Sequence, residues 1–141
     1  MILSSACQQW QHDQAANAAQ DTRSYTTHGG TIEPIRSAQR ELAEETGLRA
    51  RRWREILQLD LSNSATDEHA HLFLAWDLRQ GKARPEECED LAVRREPLPR
   101  VVRMIERGLI TDVMTVAAIQ KVQLLALAGK LPSSLRDALL A

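Results

Sequence analysis

The segment that most restricts the fold is residues 70–78, which read AHLFLAWDL. Its apolar side chains fall on both alternating faces, and such a strand is buried only when other elements cover both of its sides. We therefore expect it to be the central strand of a layered domain. Before it, Leu57, Leu59 and Leu61 alternate with polar residues, the pattern of a strand with one buried face.

Helical signals surround these two strands. Residues 35–46 place Ile35, Ala38 and Leu42 on one stripe and stop at Gly47, which suits the left-handed position that follows a helix. Two helices and a short terminal helix are expected later in the chain. Their boundaries are indicated by Pro99, Gly108, Thr111 or Asp112, and Leu131.

The first 28 residues differ from the rest of the chain. They are rich in Gln, Ala, Asn, Asp and Thr and show little amphipathic periodicity, so we expect a weak helix or disorder there. Gly29 and Gly30 then punctuate a turn. The predicted organisation is an atypical polar segment at 1–28 and one domain at 29–141, whose order of helix, strands and helices indicates an α/β class.

Composition limits the partners that we expect. The chain has 141 residues and a net charge of -1, so no overall basic surface favours nucleic acid or a membrane, and a small molecule is the expected partner. No window approaches the roughly 20 apolar residues of a membrane span. Cys7 and Cys88 lack metal-type spacing, which fits a protein of the reducing cytoplasm without a disulfide framework.

The segment with the clearest chemistry is residues 40–48, where three glutamates precede Gly47. On a helix, Glu41 and Glu45 stand one turn apart with Glu44 beside them, and like charges at this spacing repel. A divalent cation such as Mg²⁺ would offset that repulsion, and Arg40 can orient Glu44. Spacing alone favours the alternative, a solvated acidic helix face.

The full string Arg-Glu-Leu-Ala-Glu-Glu-Thr-Gly-Leu resembles the core of the Nudix box. The preceding Gly-Gly-Thr-Ile-Glu-Pro resembles the entry to that box in the ADP-ribose pyrophosphatase branch of Nudix hydrolases. The resemblance extends over residues 29–128. It implies a Nudix-like α/β/α sandwich with a mixed sheet, here lacking part of the N-terminal sheet because residues 1–28 match nothing in the branch.

The resemblance also implies an activity. Members of this branch use Mg²⁺, with Mn²⁺ as an alternative, to cleave a nucleoside diphosphate sugar such as ADP-ribose into a nucleoside monophosphate and a sugar phosphate. They usually form homodimers. By position, Glu41 and Glu45 correspond to the principal metal ligands, Glu44 to an additional or water-mediated ligand, and Arg40 to the residue that orders these carboxylates.

The remaining site residues come from loops around the central strand. A catalytic base in this branch lies on a loop after the central strands, and in the segment PEECED the best match is Glu87, followed by Glu89. Glu68, in the loop before the strand, is expected to approach substrate or metal. Ordinary solvated loop acids are the alternative for each.

The box is also shortened. The family has a further glutamate between the entry glycines and the arginine, but the corresponding positions hold Ile32 or Arg36, and the interval is about one helical turn shorter. A second hypothesis is therefore a catalytically impaired Nudix remnant that acts as a binding or dimerisation module. The histidines His28, His69 and His71 lack metal spacing and are expected to be structural, and Trp53 and Trp76 to be core residues.

Overall fold

Two long neighbouring strands, β2 (Leu48–Asp60) and β3 (His69–Gln80), form the body of the sheet. The computed structural model describes residues 19–23, 33–61, 69–81 and 95–141. Strand β1 (Ala19–Arg23) pairs with the other side of β3, so the strand order is β1-β3-β2. All pairings between these described strands are antiparallel. The predicted central position of residues 70–78 is confirmed.

Strand β1 departs from the weak helix or disorder that we expected for residues 1–28. Its five residues have little local strand pattern, and their conformation is set by pairing with the edge of β3 that β2 leaves open. The sheet thus gains a strand from the atypical segment. Other residues of that segment lie outside the described part of the chain, and the boundary at 28/29 stays a prediction.

Four helices complete the described part of the chain. They are α1 (Pro34–Thr46), α2 (Leu98–Glu106), α3 (Val113–Leu127) and α4 (Ser133–Leu140). The predicted signals explain their ends: Gly47 and Gly108 have φ of 68°, and the Asp112 side chain accepts a hydrogen bond of 2.8 Å from the Thr115 backbone N–H. Within the described ranges, no helix has the length and apolar content needed to cross a membrane.

Alternating side chains of β3 divide the core between the two faces of the sheet. On one face, Leu72 and Leu74 belong to a cluster formed with α2, α3 and α4. On the other, Ala75 packs with Leu42 of α1 and with Leu48. The expected α/β class and the layering of helices on both faces of the sheet are confirmed.

Both strand tryptophans contact these clusters, as expected for core residues. Trp76 is half-buried against the cluster of α2, α3 and α4. Trp53 is half-buried on the α1 side, where its ring meets that of Phe73 edge to face at a centroid distance of 6.3 Å. The two sides of the sheet are thus each anchored by one indole.

Candidate functional site

Helix α1 holds the three glutamates of the box, and its packing decides which way each one faces. Ala38 and Leu42 are fully buried, so this stripe seats the helix on the sheet. At 3.6 residues per turn, Glu41 and Glu45 lie together on one side of the buried stripe and are displaced by about 6 Å along the helix axis. Both side chains are half-buried. They form the carboxylate pair of α1.

The carboxylate pair has the donor atoms that a hard divalent cation needs. One oxygen of Glu45, Oε2, is buried, although the residue as a whole is only half-buried. Burial of a carboxylate oxygen is costly unless a cation or hydrogen-bond donor compensates it. Mg²⁺ and Mn²⁺ prefer oxygen ligands, and Mg²⁺ commonly uses one or two protein carboxylates with water and substrate phosphates completing the shell. Glu41 and Glu45 fit that requirement.

Glu44 is next to the carboxylate pair around the helix but is exposed. Its exposed carboxylate is 3.9 Å from Arg40, measured from Oε2 to Nε, which is the contact expected from their spacing. Both side chains line a groove with Arg49 and Trp53 of β2. Across the described ranges, no three or more His, Cys, Asp or Glu side chains are grouped so that they could hold a metal ion. The assignment of Glu41, Glu44 and Glu45 as metal ligands stays a prediction.

The C-terminal end of α1 is tied to both long strands. The Gly47 N–H donates to Ala43 O at 3.1 Å, and the Gly81 N–H at the end of β3 donates to Gly47 O at 2.6 Å. The Thr46 hydroxyl donates to Leu42 O at 2.5 Å and accepts from the Leu48 N–H at 3.1 Å. These contacts fix the last turn, and with it Glu45, relative to the sheet.

Thr46 and Gly81 hold the end of α1 against the strands, a role that was not predicted from the sequence. Thr46 is buried and its side chain bonds at the junction of helix and strand. A threonine directly before a helix-ending glycine is a local signal for such a bond, because its hydroxyl reaches the preceding turn. Gly81 gives no equivalent signal, since its contact with Gly47 depends on the pairing of β2 with β3.

Several predicted site residues lie outside the described part of the chain. They are Glu68, Glu87 and Glu89, together with the entry glycines Gly29 and Gly30 and the box position Ile32. The alternative box position, Arg36, is described. It is exposed and lies 3.5 Å from Glu33, measured from Nε to Oε2, so it forms an ion pair at the beginning of α1.

The histidines of β3 pair with carboxylates of β2, in keeping with the structural role expected of them. His71 Nδ1 lies 2.6 Å from Glu55 Oε1, and His69 Nδ1 lies 2.6 Å from Asp60 Oδ1. The hydrogen bond from His71 is the largest of the influences that lower the pKa of Glu55, with Gln58 adding to it and burial opposing it. These contacts connect the two strands near the end of the sheet farthest from Gly47.

Strand β2 also exposes a row of arginines. The net charge of -1, which sums over the whole chain, does not indicate this local cluster. Arg49, Arg51, Arg52 and Arg54 are all exposed. Two of them have described contacts: Arg52 lies 3.1 Å from Asp77, Nε to Oδ2, and Arg54 donates to Lys130 O at 2.7 Å. The run RARRWR was the available signal for this basic edge.

The chain is similar in sequence to two proteins of known name. No protein-family model matches it. It is 34% identical over 89 residues to an ADP-ribose pyrophosphatase of Mycobacterium tuberculosis, covering 61% of this chain and 42% of that protein. It is 35% identical over 94 residues to an ADP-ribose pyrophosphatase of Bacillus subtilis, covering 65% of this chain and 51% of that protein.

The chain thus spans about half the length of the curated relatives that it matches. These similarities support the resemblance of the chain to the ADP-ribose pyrophosphatase-like branch of the Nudix family.

Proposed function

We propose that the chain is a divalent-metal-dependent Nudix hydrolase that cleaves the diphosphate of a nucleoside diphosphate sugar such as ADP-ribose. The products are a nucleoside monophosphate and a sugar phosphate. The observation that carries the proposal is the carboxylate pair of α1, with a buried oxygen on Glu45 and a helix end tied to β2 and β3. The names of the two relatives support the same substrate.

Glu41 and Glu45 would hold the metal ion in this proposal. Mg²⁺ or Mn²⁺, when bound, neutralises diphosphate charge and lowers the pKa of a coordinated water. The chain's own contribution is to present two carboxylates from a fixed helix turn. Arg40 keeps the Glu44 carboxylate on the neighbouring side of the helix, 3.9 Å from its guanidinium Nε, and so orders the charge next to the pair.

We assign proton transfer and substrate contact to glutamates that lie before and after β3 in the sequence. In our proposal Glu87 accepts the proton of the attacking water, with Glu89 as the neighbouring candidate. Glu68 contacts the substrate from the loop before β3. The support for these roles is the position of each glutamate in the sequence relative to β3.

The test is to incubate the chain with ADP-ribose, with and without Mg²⁺, and to measure the AMP released by chromatography. We expect metal-dependent release that falls by at least about 100-fold in Glu45→Gln, because that variant removes a proposed metal ligand. Glu106→Gln, an exposed change at the end of α2, is the matched control and should keep the wild-type rate. Release that is absent, or equal in both variants, would refute the proposal.

The second candidate is a catalytically impaired Nudix module that binds a nucleotide or mediates dimerisation. It is motivated by the shortened box, in which Ile32 or Arg36 stands where the family has a further glutamate. Calorimetric titration with ADP-ribose distinguishes the two. Binding without any AMP release supports the impaired module, and metal-dependent release eliminates it.

We also propose that two copies of the chain associate. Helix α3 exposes Val113, Leu124 and Leu127, and apolar side chains of this size are typical of surfaces between subunits when they lie together. The proposed partner is a second copy, in agreement with the homodimer expected from the family resemblance.

A further inference from the structure

Strand β2 lies at the outer end of the described sheet, whose order is β1-β3-β2. One side of β2 pairs with β3, and among the described strands none pairs with its other side. The backbone N–H and C=O groups along an open strand edge are a template for another extended segment. Residues 48–55, which precede the irregularity in the pairing, give this edge roughly 25 Å of regular strand.

The basic edge, formed by Arg49, Arg51, Arg52 and Arg54, occupies the same stretch of β2. Arg52 forms an ion pair with a carboxylate of β3, whereas the described partner of Arg54 is the neutral carbonyl of Lys130. In the part of the chain that the structure describes, neither Arg49 nor Arg51 has a carboxylate at salt-bridge distance. Three positive charges along this edge thus lack a described counter-charge, so the edge attracts anionic groups.

The pairing of β2 with β3 shows which way these arginines face. Arg52 and Arg54 are directly opposite two β3 residues of the cluster formed with α2, α3 and α4, so they lie on that face of the sheet. Arg49 is flanked by two residues of the α1 cluster and therefore points to the same face as Arg52 and Arg54. The side chains of an added strand would stand next to this row.

The charge of the basic edge decides which extended segment fits it. Edge-to-edge pairing of β2 with β2 of a second copy would bring arginines against arginines, and like charges at opposed positions destabilise a sheet. A nucleic-acid backbone offers phosphate acceptors but no row of N–H donors, so it would leave the C=O groups of the edge unpaired. An acidic polypeptide in extended conformation meets both requirements, because it pairs with the backbone and supplies carboxylates to the arginines.

We propose that β2 binds an extended acidic segment of a partner protein as an added β-strand. Main-chain hydrogen bonds to residues 48–55 hold the segment, and its carboxylates form ion pairs with Arg49 and Arg54. The interaction uses neither the carboxylate pair of α1 nor a metal ion. It does not depend on whether the chain hydrolyses ADP-ribose.

The probe is a fluorescent peptide of about ten residues in which threonine and glutamate alternate, a length that matches the open edge. Fluorescence anisotropy measures its binding to the full chain in EDTA. Two isomers of the peptide carry N-methyl groups, one on its glutamate amides and the other on its threonine amides. A strand presents alternate N–H groups to one edge, so one isomer should bind at least about tenfold more weakly and the other like the unmodified peptide.

The arginines are tested with the unmodified peptide. We expect Arg49→Gln and Arg54→Gln each to weaken binding by about twofold to fivefold, and the double variant by about tenfold, because each removes one cross-strand ion pair. Arg107→Gln at the end of α2 removes the same charge from an exposed site and should bind as the wild type does. Thermal unfolding of each variant confirms that it is folded before its titration is interpreted.

Three results would overturn the proposal. The first is no binding of the acidic peptide at millimolar concentration of the chain. The second is that both methylated isomers bind like the unmodified peptide, which would mean attraction by charge without strand addition, or that the double variant binds as tightly as Arg107→Gln does. The third is that an oligothymidylate of the same net charge binds more tightly than the peptide, which would make the basic edge a nucleic-acid surface. None of these results affects the hydrolysis test, which requires Mg²⁺ and ADP-ribose.

Discussion

Glu55 of β2 is hydrogen-bonded to His71 of β3, so its protonation state affects the contact between the two strands. The hydrogen bond with His71 holds its pKa below the ordinary value of 4.5. The folded state therefore favours the ionised form, so the contribution to stability is present above pH 4.5 and is lost as pH falls through the lowered pKa. Because 38% of the Glu55 side chain is exposed, we expect at most about 1 kcal/mol.

Urea unfolding of the wild type and Glu55→Gln tests this expectation. The variant should be less stable at pH 6, and the difference should shrink below pH 4 as the wild-type carboxyl is protonated. Glu106→Gln serves as the control, since its exposed side chain lies at the far end of α2. A difference in stability that stays constant across this pH range would contradict the assignment.

The three box glutamates should differ in metal affinity. Glu45 has a buried carboxylate oxygen, whereas Glu44 is exposed beside Arg40. We expect Glu45→Gln to weaken Mn²⁺ binding by at least about tenfold and Glu44→Gln by about twofold or less, because only the former belongs to the carboxylate pair. Electron paramagnetic resonance of free Mn²⁺ gives both affinities. Equal losses would show that all three glutamates act at one site, as the sequence predicts.

At the level of elements, the C-terminal end of α1 links the fold to the site. Gly47 has φ of 68°, a conformation in which a Cβ is unfavourable, so Gly47→Ala should cost about 1 kcal/mol in the free energy of unfolding. Gly108 at the end of α2 has the same φ and open space around it, which makes Gly108→Ala a matched control.

Both alanine variants should lose similar stability in urea unfolding, yet only Gly47→Ala should also weaken Mn²⁺ binding. The reason is that Gly47 O receives the Gly81 N–H and so helps to position the last turn of α1. Equal effects of the two variants on Mn²⁺ binding would mean that this helix end does not position the carboxylates.

The elements that sequence predicts well are those with local signals. The bounds of α1 follow from its apolar stripe and Gly47, and the central place of β3 follows from its two apolar faces. β1 was missed because its strand conformation comes from pairing with residues about 50 positions away, which no local pattern encodes. That Glu44 is exposed while Glu41 and Glu45 are half-buried depends on which side of α1 packs on the sheet, and spacing alone does not decide that.

At the scale of the whole molecule, the arrangement of layers leaves three large apolar side chains of α3 exposed. One side of α3 packs on the sheet and on α2 and α4. Val113, Leu124 and Leu127 remain 67%, 63% and 66% exposed and fall on one stripe of the helix. Exposing these three apolar side chains to water is unfavourable, and a second copy of the same helix would cover them.

We expect Leu124→Glu to shift the chain from dimer to monomer in sedimentation velocity, because two buried carboxylates would face each other across the two-fold axis. The melting temperature of the isolated subunit should change little, since the side chain is already exposed in it. Leu140→Glu, at an exposed site on α4, is the control and should leave the dimer intact. A wild-type chain that sediments as a monomer at micromolar concentration would rule out this surface as a stable interface. Dissociation by Leu140→Glu alone would place the contact on α4 instead.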